Sequence, residues 1–237
     1  MSGWIEFAGP RLATMRRAPL RATFIERPHR FAARCALRGG REVTAHVPNP
    51  GRLTGVLAPR CQLLLDGPFR ATRALPYTMV AAKAGGVWVG ANTIYANRVF
   101  PALVSHGLFP EFDPTSIRAE IAHGHSRFDF RLGGMMVEVK SVTLASGGAG
   151  RFPDAVSARA ARHCDELAVL CRSGSPAAIV FVAQRSDVES VAPEDDVDPA
   201  FGIALRGAAD AGVRVLACAL EIAPEGATRA RRVPVVL

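Results

Sequence analysis

Three residues in one short stretch have the types and spacing to do chemistry together: Asp129, Glu138 and Lys140. They sit in the segment Ser126-Arg127-Phe128-Asp129-Phe130-Arg131-Leu132-Gly133-Gly134-Met135-Met136-Val137-Glu138-Val139-Lys140-Ser141. Two opposed carboxylates repel one another. A divalent cation offsets that repulsion, since Mg²⁺ is held by one or two carboxylates together with water and phosphate oxygens. A lysine beside the cation steadies developing negative charge or orients a water. The chemistry this trio could support is divalent-metal binding with a lysine poised near the metal. The same three residues also read as a solvated polar face with a cross-strand salt bridge from Lys140.

The element that must position them is a β-hairpin. Apolar residues alternate up to Leu132 and again from Met135, as strands with one buried face require. Gly133-Gly134 offers the two positive-φ positions of a two-residue turn. That turn sets Leu132 against Met135, Arg131 against Met136, Phe130 against Val137 and Asp129 against Glu138. A period of two then puts Asp129, Glu138 and Lys140 on one face. Phe128, Phe130, Val137 and Val139 take the other, which is the expected core side.

The 237 residues allow one large domain or two small ones. Net charge is +8, and Lys83 and Lys140 are the only lysines. A basic chain with arginine spread along it favours a polyanionic partner, most often nucleic acid. A coding bias towards arginine and alanine explains the same composition. The five cysteines are odd in number and lack CxxC spacing. They indicate reduced thiols in a cytoplasmic protein, with neither disulfides nor a zinc site. No apolar run approaches a membrane span, and no secretory signal opens the chain, so no membrane partner is expected.

Residues 1–19 lack periodicity and read as a loosely held extension. Residues 20–91 are all β: short runs such as Ala22–Glu26, Arg30–Leu37, Arg41–Val47, Cys61–Leu65 and Tyr77–Ala82 are separated by turn residues. Five or six short strands in this span predict an OB-fold-like small β-barrel. Between them, Pro48-Asn49-Pro50-Gly51-Arg52 makes a rigid turn. Arg52 there either meets a phosphate or is a plain surface arginine. Near residue 92 the pattern changes. Asn92 or Thr93 caps a helix that Pro101 interrupts and Gly107 closes.

Ile117–Ala122 reads as a strand, with Glu120 a third acid of unknown face. His123 and His125 stand at i, i+2 with no third metal ligand spaced to help them. After the hairpin, Asp154 N-caps a helix running to about Ser173. Arg159, Arg162 and His163 in its first half either contact phosphate or form a solvated face. The apolar run Ala177–Ala183 reads as a strand buried on both faces, ended by Gln184-Arg185. A helix over Pro199–Gly212 and a strand over Val213–Leu220 complete an α/β domain with a mixed sheet over residues 92–237.

Five motifs in order carry a resemblance: Pro48-Asn49-Pro50-Gly51-Arg52, Asn92-Thr93 with Ala96-Asn97-Arg98, Ser126-Arg127-Phe128-Asp129-Phe130, Glu138-Val139-Lys140-Ser141 and Phe152-Pro153-Asp154-Ala155. From about Leu20 to Pro234 the chain resembles the sugar fermentation stimulation protein A family. The resemblance implies a two-domain α+β and α/β fold, an OB-fold followed by a PD-(D/E)xK nuclease-like domain. It implies DNA binding of low sequence specificity and a link to maltose metabolism. By position it makes Asp129, Glu138 and Lys140 catalytic, with Asp129, Glu138 and Glu120 as ligands for Mg²⁺ or Mn²⁺. Arg52, Arg98, Arg127, Arg159, Arg162, His163 and Gln184 are the expected nucleic-acid contacts. The chain departs from the family pattern at Ser157-Ala158-Arg159-Ala160 and at Cys164-Asp165. The expected function is a DNA-binding protein with a metal-dependent nuclease site. The alternative is a non-enzymatic DNA-binding regulator of sugar metabolism genes. RNA presents the same phosphates and stays open as a partner.

Overall fold

The hairpin forms where its alternation places it. A computed structural model describes residues 3–12, 18–69, 73–124 and 126–237. In it β9 (Ser126–Leu132) and β10 (Met135–Val142) pair as Met135↔Leu132, Met136↔Arg131 and Val137↔Phe130. Gly133 turns at φ +57°, whereas Gly134 lies outside the left-handed region.

The N-terminal β signals resolve into β2 (Leu20–His29), β3 (Ala32–Leu37), β4 (Glu42–His46), β5 (Gln62–Asp66), β6 (Tyr77–Ala84) and β7 (Val87–Gly90). Their order is β4-β3-β2-β5-β6-β7, and a parallel pairing of β4 with β6 closes five of them into a barrel. Closure removes the sheet edges, and inward residues such as Phe24, Cys35, Leu63, Leu65 and Met79 fill the interior. This is the expected OB fold.

The second domain begins with α1 (Ile94–Ser105) and continues through β8 (Ile117–His123), β9 and β10 to β11 (Leu144–Ser146), β12 (Ala149–Phe152) and α2 (Ala158–Arg172). It ends with β13 (Ala177–Ala183), β14 (Ser190–Pro193), α3 (Pro199–Asp210), β15 (Arg214–Ala223) and β16 (Gly226–Val233). A mixed sheet runs β1-β16-β15-β13-β10-β9-β8, where β1 is Ile5–Glu6. Strands β10, β13 and β15 are parallel at its centre. Both faces are covered, which is why β13 is apolar throughout. On one face α1 packs Tyr95, Val99 and Phe100 against Val137, Val139 and Val180. On the other, α2 and α3 pack Cys164, Leu167 and Leu205 against Ile179 and Phe181. Leu64 and Val80 of the barrel belong to the α1 core, so the two domains share hydrophobic packing.

Four further sequence expectations are corrected. Residues 3–12 are not loosely held: β1 pairs with β16, and Phe7 and Leu12 are buried. The Tyr95 hydroxyl ties this segment down, donating to the Pro10 carbonyl at 2.6 Å and accepting from the Ala227 N–H at 2.8 Å. Arg16 and Arg17 lie outside the described residues, as does His125. Pro101 does not interrupt α1, which continues through it. Asn92, through Oδ1, accepts the Ile94 N–H at 3.0 Å at its start. Ser157, not Asp154, caps α2, accepting the Ala160 N–H at 3.2 Å. Finally, Phe128 and Phe130 do not share a core, for a reason that lies in the site.

Candidate active site

Both ladders of β9 break at Asp129. Towards β10, pairing ends at Phe130↔Val137, and the Asp129 carboxylate takes the next place, its Oδ2 accepting the Val139 N–H at 2.8 Å. Towards β8, the pairs Ala119↔Phe130 and Ile121↔Phe128 leave Glu120 and Asp129 unpaired between them, with Glu120 at φ +58°. The strand turns over at this break. Phe130 enters the α1 core, while Phe128 enters the α2 core and packs on the His163 ring at 5.5 Å.

Asp129 is held from α1. Asn97 Nδ2 donates to its Oδ1 at 2.5 Å. Burial first, and the nearby Glu138 second, push its pKa up to about 6. Glu138 is 5% exposed and Lys140 9%, so the polar side of β10 is buried and not solvated. Glu138 Oε1 accepts from Lys140 Nζ at 2.8 Å and lies 2.6 Å from His163 Nδ1 on α2. Burial raises the Glu138 pKa, but the hydrogen bonds from His163 and Lys140 outweigh it and hold the group below the ordinary carboxylate range. Glu138 Oε2 is buried and has no hydrogen-bond partner.

The structure therefore brings together Asp129, Glu138 and Lys140, adding Asn97 and His163. Glu120 stands apart, two-thirds exposed and 3.0 Å from Arg127 in an ion pair. Among the described residues no group of three or more His, Cys, Asp or Glu is arranged to hold a metal ion. His163, expected at a phosphate, is instead 1% exposed against Glu138. Gln184 is fully buried. Its amide donates to the Asn92 carbonyl at 2.8 Å and to Ser141 Oγ at 2.7 Å, tying the segment before α1 to β10, so it offers no surface to nucleic acid.

The other expected contacts are exposed. Arg98 donates to the Arg11 carbonyl, Arg162 pairs with Glu166 on its own helix, and Arg159 Nε lies 3.5 Å from His163 Nε2. Arg52 rides the Pro48–Leu53 turn. Arg27 braces that turn, donating to the carbonyls of Arg52 and of Gly51, the latter at 2.8 Å. Asp154 closes it from the second domain, accepting the Leu53 N–H at 3.3 Å.

Sequence reasoning missed Asn97 and the place of His163. The latter had a signal. Ala160, His163, Cys164, Leu167 and Ala168 follow helical spacing, and all five are buried.

Residues 94–226 match the family described as Sugar fermentation stimulation protein RE domain, and residues 25–91 match the SfsA N-terminal OB domain. Curated proteins named Sugar fermentation stimulation protein homolog align over most of the chain. The one from Symbiobacterium thermophilum is 40% identical, spanning 92% of this chain and 95% of that protein. The one from Pelobacter propionicus is 40% identical, spanning 94% and 100%. The solved structure of Pyrococcus furiosus SfsA in complex with Ca²⁺ superposes with a TM-score of 0.84 at 26% identity, covering 96% of this chain and 99% of that one.

Proposed function

The chain belongs to the sugar fermentation stimulation protein family, and on that footing we propose that it binds DNA and hydrolyses phosphodiesters at a divalent-metal site built on Asp129, Glu138 and Lys140. One observation carries this reading. Glu138 Oε2 is buried, charged and without a hydrogen-bond donor, beside a second, half-buried carboxylate on Asp129. An unpaired buried charge is costly unless a metal coordinates it. The donors are hard oxygens, which fit Mg²⁺ or Mn²⁺. Pyrococcus furiosus SfsA was solved in complex with Ca²⁺, a hard cation of the same preference.

Glu138 through Oε2 and Asp129 would hold the cation, with water and phosphate oxygens completing its shell. A cation there supplies charge neutralisation at a phosphoryl oxygen and acidifies water. The protein's own groups do the rest. Lys140 neutralises Glu138 from the other oxygen and offers its ammonium to charge that develops on the phosphate. His163 fixes the rotamer of Glu138 from α2, and Asn97 fixes that of Asp129 from α1. The buried surroundings strengthen each of these interactions. Cytoplasmic residence belongs to the same reading, supported by five cysteines that are all unpaired.

The test is a cleavage assay with wild type and Glu138→Gln on single-stranded, duplex and branched DNA, in Mg²⁺, Mn²⁺ or EDTA. Cleavage by wild type in metal, lost in the variant and in EDTA, is the expected outcome. Wild-type protein that binds DNA but leaves every substrate intact under all metals overturns it.

One observation favours a second reading, a DNA-binding regulator without catalysis. Among the described residues no group of three or more His, Cys, Asp or Glu is arranged to hold a metal ion. Binding that is equal in wild type and Glu138→Gln, with no cleavage by either, would select it.

A further inference from the structure

We infer that the barrel face and the interdomain groove form a track for single-stranded nucleic acid, making the single strand the substrate form. This rests on the proposed nuclease reading and adds the shape of the strand that the site receives.

The track begins on the barrel at a pair of exposed rings. Phe31 is 43% exposed and lies parallel to exposed His46, with centroids 6.5 Å apart and planes inclined by 29°. The Arg30 guanidinium stands 6.0 Å from the Phe31 centroid. Exposed aromatic faces beside arginine are what unpaired bases stack on, and every base has such a face to offer. Bases in a duplex are already stacked on one another and present no free face here.

From the rings the surface dips into a cleft of about 470 Å³ lined by Arg27, His29, Arg30, Arg52 and Val156. Arg27 is committed to holding the turn carbonyls. The carbonyls of Arg52 and Arg30 accept from Arg27, but neither guanidinium makes a hydrogen bond or ion pair with a described residue, so both line the cleft with donors to offer a phosphate. Asp154 is the one acid among the described residues that line this cleft and the one it opens into. It lies against Gly51, where it accepts the Leu53 N–H, and Arg27 and Arg52 offset its charge. The cleft continues, through shared Arg30, Pro50 and Val156, into a second of about 260 Å³. That one reaches Ser141 and Thr143 at and just beyond the end of β10, the strand that carries Glu138 and Lys140. Volumes of this order take small-molecule-sized groups, hence nucleotides in single file.

The experiment measures binding of a labelled oligonucleotide by the full chain in EDTA, as single-stranded DNA, single-stranded RNA and the DNA duplex, across a salt series. Both single strands are expected to bind at least tenfold tighter than the duplex. Phe31→Ala is expected to weaken single-strand binding about tenfold with duplex binding unchanged, as loss of one stacked base predicts. Arg30→Gln and Arg52→Gln should each lower the single-strand salt slope by about 0.7. All three residues are exposed, so an unchanged melting temperature shows that the fold is kept. Duplex affinity equal to or above that of both single strands, or single-strand affinity indifferent to Phe31→Ala, overturns the inference. The measurement is independent of cleavage. If Glu138→Gln binds single strands as wild type does while no condition yields cleavage, the nuclease reading fails and the track stands.

Discussion

His163 on α2 lies 2.6 Å, through Nδ1, from Glu138 Oε1 on β10, and both side chains are almost wholly buried. This contact and that of Lys140 both use Oε1, and the second carboxylate oxygen of Glu138 is left buried without a protein partner. His163 is thus a positioning residue for Glu138. Replacing it with Ala should lower divalent-metal affinity about 10- to 100-fold, as loss of an outer-shell partner does. Calorimetric titration with Mn²⁺ reads the affinity. His163→Gln, which keeps a donor, should recover part of it. Equal metal affinity in wild type and His163→Ala would show that Glu138 is oriented without it.

Asp129 carries a folded-state pKa of about 6, above the ordinary carboxylate value near 3.8. A raised acid favours the protonated form in the fold. Its stabilising effect is therefore complete below about pH 4 and is lost as pH rises through about 6. In EDTA, Asp129→Asn should be more stable than wild type at about pH 7.5, by roughly 3 kcal/mol from a shift of about two pH units. The gain should shrink towards zero near pH 4, where wild type is protonated in both states. The Asn97 amide can turn to accept from the new one. Urea denaturation at the two pH values checks this, and equal stability at about pH 7.5 would refute the strained carboxylate.

A ligand that binds only the folded state raises the unfolding temperature in proportion to the logarithm of its concentration over Kd. Mg²⁺, Mn²⁺ or Ca²⁺ should therefore raise the melting temperature of wild type and leave Asp129→Asn and Glu138→Gln unmoved. EDTA should reverse the rise. At 100-fold excess over Kd the stabilisation is about 2.7 kcal/mol. A shift of the same size in Glu138→Gln would place the metal elsewhere on the molecule.

Gly51 has Asp154 against it so closely that an added Cβ would stand 2.0 Å from the carboxylate oxygens. Gly51→Ala should cost about 1–3 kcal/mol by forcing Asp154 out of the Pro48–Leu53 turn. In the Asp154→Ala background the same substitution should cost much less, because the obstructing atoms are gone. A double-mutant cycle by urea denaturation measures the coupling. Additive effects would mean that the turn moves freely relative to the second domain.

Much of this protein was legible in its sequence, because strand alternation and turn glycines act locally. The first three pairs of the β9–β10 register, the buried β13 run and the barrel strands follow from neighbours within a few residues, whereas the expected fourth pair, Asp129 against Glu138, does not form. What the tertiary structure decided was everything that depends on which surfaces meet. The first residues looked unanchored because Phe7, Leu12 and the Pro10 carbonyl find their partners on α1 and β16, far along the chain. Phe128 and Phe130 share a face in any ideal strand. Asp129 breaks both ladders by taking a backbone N–H with its own carboxylate, and so it sends them to opposite cores. Gln184 and His163 read as surface contacts because polar residues usually are exposed. Long-range packing instead buries them against Asn92, Ser141 and Glu138, where the Gln184 amide nitrogen and His163 Nδ1 find hydrogen-bond partners.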